Sequence, residues 1–197
     1  MPWLALGYPL LAHLGVVLDE PLLQWLAMVW LLAVALGGAL VKGRAWAWIV
    51  IVLASAALYV FVTMSNGLYA LYVPPAVIPA ALFILFARSL RAGATPLVTQ
   101  IATTMRGDTL PPELVAYTRR VTQLWCAVCL ALFVSAVTLA IWASPHLWSV
   151  MTNFVHYLVL GAVFVVEFAW RRIRYPQHEQ WGLVQYLRRL AQTRIRP

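Results

Sequence analysis

The chain has 197 residues, 63% hydrophobic and only 10% charged, with a formal net charge of +8. Soluble domains lie nearer about 45–50% apolar and about 25% charged, and a fold of this size could not hide so much apolar surface from water. Lipid must therefore solvate most side chains, which excludes an ordinary soluble protein. The surplus of 14 Lys/Arg over 6 Asp/Glu would suggest nucleic acid for a soluble domain. Here the basic residues flank hydrophobic runs, where they set orientation and meet anionic headgroups, so membrane lipids are the expected partner and nucleic acid is not.

A bilayer core of ~30 Å is crossed by about 20 apolar helical residues, and lipid-facing backbone must satisfy its own hydrogen bonds, which selects helices. Six stretches qualify or nearly so: about Trp3 to Leu18, Leu22 to Val41, Ala45 to Val62, Leu68 to Ala87, Val121 to Ala143 and Leu147 to Ala169. The expected fold class is all-α, a polytopic bundle of six transmembrane helices in one domain over residues 1–197. The start has no Lys/Arg-rich, cleavable leader pattern, so nothing is expected to be trimmed.

The first stretch is the weakest. It contains Gly7, Pro9 and His13 and stops at Asp19-Glu20-Pro21, so it either crosses a thinned bilayer or enters part-way. Lys42 and Arg44 follow the second stretch. Arg88, Arg91, Arg106, Arg119 and Arg120 lie between the fourth and fifth, and the remaining arginines follow the sixth. With six crossings and both ends inside, every basic residue falls on one side, as the positive-inside rule requires of a cytoplasmic face. A bacterial inner membrane is the expected location. Trp25, Trp46, Trp48, Trp125, Trp142, Trp148 and Trp170 lie near the ends of the stretches, where interface anchors belong. Trp30 lies deeper, without an evident reason.

The fourth stretch holds Pro74, Pro75 and Pro79. Each removes a backbone donor, so this helix is expected to be kinked or broken there, either shaping the bundle or lining a cavity.

Two cytoplasmic segments, within 88–120 and 171–197, read as more than connectors. Thr95-Pro96 has the pattern of a cap and first helical residue, Leu97, Ile101 and Met105 recur at helical spacing, and Gly107 supplies a stop. In the tail, Trp181, Val184, Leu187 and Leu190 form an apolar stripe opposite Gln185, Arg188, Arg189 and Gln192. Both predict amphipathic helices along the headgroups. Pro111-Pro112-Glu113 opens a helix expected to run unbroken into the fifth stretch, its periodicity kept by Leu114, Tyr117, Val121 and Leu124.

Candidate site residues are few. Cys126 and Cys129 share one helical face, but no further cysteine is available for a zinc site, and the pair reads as small apolar side chains. Glu167 is the one acid deep in a stretch. It pairs with Arg171 at i+4 or reaches a polar cavity. Asn153 and His156 are one turn apart, and with His13 and Tyr72 they form such a cavity if the helices converge. Otherwise the histidines bond neighbouring helices. Arg88, Arg91, Arg119 and Arg120 form the densest basic cluster, suited to phosphates as well as to topology. No phosphate loop, HExxH, Ser/His/Asp arrangement or paired aspartates is present. A non-catalytic role is therefore favoured, and no cofactor or metal is expected.

The run from Leu85 to Leu97, then Arg106-Gly107, Leu110-Pro111-Pro112-Glu113-Leu114 and Tyr117 to Trp125, with Glu167 ahead of Arg171-Arg172, resembles a small family of uncharacterised bacterial membrane proteins. Its members are associated with clusters for aryl polyene pigments, fatty-acid-like lipids built on acyl carrier proteins. The resemblance is specific over about Leu85 to Trp125 and implies an accessory role in making or handling such a lipid, with no catalytic residues. The basic face would then dock an acidic, phosphate-bearing acyl carrier protein. The alternatives are a membrane-embedded lipid enzyme or transporter and a structural subunit of a larger membrane complex.

Overall fold

A computed structural model describes residues 6–64, 67–106 and 109–176. The tail helix expected from Trp181 to Gln192, and the Gly107 stop, lie outside the described residues. Those described are helical and contain no strand. The helices are α1 (Gly7–Val17), α2 (Pro21–Val41), α3 (Ala45–Met64), α4 (Leu68–Ser89), α5 (Leu97–Arg106), α6 (Pro112–Trp142), α7 (Pro145–Val150) and α8 (His156–Arg174), with a π-helical turn (Met151–Val155) joining the last two.

Five segments are long and apolar enough to cross a membrane: α2, α3, α4, α6 and the continuous Pro145–Arg174. Their outer surfaces match that solvent. Leu53, Leu158 and Val166 are each about two-thirds exposed, at 66%, 71% and 67%, which water would penalise and lipid does not. The expected first crossing is an 11-residue helix, α1. At 1.5 Å per residue it reaches about 16 Å, half the hydrocarbon core.

Local signals explain the helix ends. Asp19 adopts a left-handed conformation, φ 50°, one of the few side chains that tolerate it. The Glu20 amide then donates to the Gly15 carbonyl at 3.1 Å, closing α1 with a Schellman turn, and Pro21 opens α2. Gly43 closes α2 in the same way, with φ 66° and Arg44 N–H donating to the Ala39 carbonyl at 3.1 Å. Ser144 caps α7 by accepting from Leu147 N–H, with Pro145 in the first turn. As expected, α6 runs unbroken for 31 residues from Pro112.

The chain forms two compact units. The first comprises Met1–Val77 and Val134–Tyr157. In it α1 packs on α2, α2 on α3, and α1 also meets α7 and the π turn. Its core is Tyr8, Ala12, Ala27, Leu71 and Trp148. Trp148 is fully buried, so it is a core residue rather than the interface anchor its position suggested. The helix begins at Pro145 and turns this indole inward onto Tyr72, their centroids 4.5 Å apart. Trp25 is likewise engaged, donating its indole N–H to the Ser55 carbonyl of α3 at 2.9 Å. Trp30 covers Gly7, where a Cβ would lie 2.5 Å from the indole nitrogen. That contact supplies the missing reason for a deep tryptophan.

Of the kink or break expected at Pro74, Pro75 and Pro79, a break does not occur, because α4 is continuous through them. Pro75 has no N–H for the Leu71 carbonyl four residues earlier. The Tyr8 hydroxyl of α1 approaches that carbonyl instead, at 3.5 Å. A neighbouring helix thus supplies the donor that the proline lacks.

The second unit comprises Ile78–Phe133 and Leu158–Pro197. Here α5 begins at Leu97, one residue after the expected start, and its first amide donates to Ser89 Oγ at 3.1 Å. Leu97 and Thr99 are its buried residues, while Ile101 and Met105 are half-buried. Hydroxyls hold α5 to α6. Thr99 and Thr118 share a 2.7 Å hydrogen bond, and Thr122 Oγ1 accepts from the Val98 amide at 3.3 Å.

Candidate functional site

The candidate site residues are divided among three local arrangements. In the first unit, His13 Nδ1 of α1 lies 3.0 Å from Ser149 Oγ of α7. Asn153 Nδ2 donates to the same oxygen at 3.1 Å. The His13 ring meets Phe154 and His146 edge-on, at centroid distances of 5.0 and 5.8 Å. The π turn adds a residue to the helical repeat where Asn153 turns inward, a feature frequent at functional sites. Asn153 is 2% exposed, and its Oδ1 has no hydrogen-bond partner. Unpaired buried acceptors are uncommon because desolvation is not repaid.

The other expected members lie elsewhere within this unit's contacts. His156 is bonded to Ser135 of α6 through Nε2 at 3.1 Å, the interhelical bond expected of a membrane histidine. The Tyr72 ring meets Trp148 and Tyr69 edge-on. His13 is therefore joined to Asn153 through Ser149, a residue with no individual signal in the sequence.

Glu167 belongs to the second unit. Its Oε1 accepts from the Tyr117 hydroxyl at 2.9 Å and lies 3.7 Å from Arg171 Nε. The Glu167–Arg171 pairing at i+4 was readable in the sequence, whereas Tyr117 was visible only as part of the α6 periodicity. The Tyr117 ring also meets Tyr175, with centroids 5.2 Å apart. The arrangement is a structural clasp between α6 and α8.

The third arrangement is basic. Arg88 and Arg91, at the end of α4, are exposed, as are Arg119 and Arg120 on α6. The Arg119 guanidinium reaches the Leu90 carbonyl at 3.5 Å, one residue before Arg91 in the chain. Cys126 and Cys129 are both free thiols on α6, the latter buried, in keeping with an apolar role. Among the described residues, no group of three or more His, Cys, Asp or Glu is placed to hold a metal ion.

These features define an all-helical protein of the multi-pass membrane class. No family model, curated protein or solved structure matches the chain.

Proposed function

We propose that this is an accessory protein of a bacterial inner membrane that assists assembly or handling of a fatty-acid-like or polyene lipid. On this reading it crosses the membrane six times, with α1 as a short crossing, and both ends lie in the cytoplasm. The segment 97–106 and the tail lie along the headgroups. The basic face docks an acidic, phosphate-bearing acyl carrier protein.

One observation carries this reading: the Arg119 guanidinium reaches the Leu90 carbonyl, one residue before Arg91, and Arg88, Arg91, Arg119 and Arg120 are all exposed. Guanidinium forks bind phosphate in two-point fashion, and a clustered set also attracts an acidic partner before contact. The clustering at the end of α4 and start of α6 lies within the segment that resembles the aryl polyene-associated family.

Replacing all four arginines by glutamate tests the proposal. Carrier-protein co-purification should fall by at least about tenfold, equivalent to about 1.4 kcal/mol, while insertion is unchanged. Undiminished co-purification would end the docking proposal. Reporter fusions at both termini test the orientation separately: an external N-terminus would reduce the crossings to five.

A further inference from the structure

We infer that His13 and His146 form a two-histidine site for a divalent transition-metal ion of the zinc, nickel or copper type, which staples α1 to α7. The inference stands apart from the basic face, since both histidines lie in the other compact unit.

Separation is the first support. The two rings lie 5.8 Å apart between centroids. Imidazoles that share one ion through metal–nitrogen bonds of about 2.0–2.1 Å have centroids about 5–6 Å apart. The pair is thus at chelating distance with both helices where they are. The histidines are more than a hundred positions apart in the chain, so no ligand spacing announces them.

The second support is how the nitrogens are engaged. Ser149 Oγ lies 3.0 Å from His13 Nδ1, which leaves Nε2 for the ion. A hydroxyl both donates and accepts, so either tautomer of the metal-free ring suits this contact. An ion at Nε2 selects the tautomer that donates from Nδ1 to Ser149, and metal-bound histidines characteristically engage their other nitrogen in a hydrogen bond. Asn153 Nδ2 donates to the same serine oxygen at 3.1 Å, and the Phe154 ring stands edge-on to His13 at 5.0 Å, so serine and imidazole are each restrained in turn. His146 hydrogen-bonds to no described residue and is exposed, which leaves its ring able to turn toward the ion.

Access and chemistry narrow the class. The ion arrives at exposed His146 and needs to go no deeper than half-buried His13. Among the described residues no third His, Cys, Asp or Glu joins the pair, so water completes the coordination. Neutral imidazole suits zinc, nickel and copper, whereas magnesium and calcium take oxygen ligands.

Untagged protein in chelator-free detergent is titrated with Cu²⁺, and with Zn²⁺, Ni²⁺ and Mg²⁺ as competitors. One Cu²⁺ per chain is expected, its electron paramagnetic resonance spectrum showing two imidazole nitrogens. Zn²⁺ and Ni²⁺ should displace it at higher concentration, and millimolar Mg²⁺ should not. His146→Ala and His13→Ala should each weaken Cu²⁺ at least about tenfold, whereas His178→Ala, in the tail, should change nothing. Saturating Zn²⁺ should make the wild-type protein more resistant to SDS unfolding and leave His146→Ala unmoved, because an ion held only by the folded pair stabilises it. Absence of stoichiometric binding, a spectrum with a single imidazole nitrogen, or undiminished binding by His146→Ala would each overturn the inference. The spectrum is taken on the wild-type protein, so it decides the matter even if His13→Ala does not fold.

Discussion

His13 and Ser149, 136 positions apart in sequence, share a hydrogen bond of 3.0 Å that ties the short helix α1 to α7. Ser149 also accepts from Asn153. Ser149→Ala consequently strips partners from two side chains at once. It should lower stability by about 1–2 kcal/mol, at the upper end for interhelical hydrogen bonds in membranes. Unfolding in mixed micelles by increasing SDS measures the loss. In a His13→Ala background the same substitution should cost less, and strictly additive losses would show that the bond contributes nothing.

Gly15 and Gly37 make opposite predictions although both lie within helices. A Cβ at Gly15 would sit 2.9 Å from the backbone nitrogen and Cγ of Gln24, whose side-chain amide donates to the Gly15 carbonyl at 3.0 Å. Backbone cannot step aside as a flexible side chain can. Gly15→Ala should push α1 from α2 and cost about 1–3 kcal/mol. Nothing lies within 4 Å of a Cβ at Gly37, so Gly37→Ala should be neutral or stabilise by up to about 1 kcal/mol. The SDS-unfolding midpoints of the two variants should move apart, and a shared direction would contradict the packing described.

Tyr117 and Glu167 should behave as a coupled pair. Tyr117→Phe removes the hydroxyl that donates to Glu167 Oε1 and should lose about 1–2 kcal/mol, as expected for a hydrogen bond to a charged, partly buried acceptor. Glu167→Leu removes the acceptor together with the Arg171 ion pair. If the clasp operates as a unit, the double variant is more stable than the two separate losses predict. A double-mutant cycle reading zero coupling would reduce the contact to mere proximity.

How much of this was legible beforehand depends on the range of each interaction. Composition alone decided the solvent, because no 197-residue soluble fold can cover 63% hydrophobic residues. Hydrophobic run length located the five long helices to within a few residues at most ends, and Pro112 marked the extended start of α6. The Glu167–Arg171 pair was visible because i+4 spacing is a local property of helices. At prolines 74, 75 and 79 local chemistry removes a donor, and whether another helix supplies one is a tertiary matter. Trp148 misled, since nearness to a helix end does not say which side faces the core. Only tertiary structure joined Arg119 to the turn at Leu90, Tyr117 to Glu167, and His13 to Ser149. The sequence by itself determined the solvent and the helices, through burial and periodicity along the chain. Tertiary structure decided which polar groups meet, because those partners lie tens to more than a hundred residues apart.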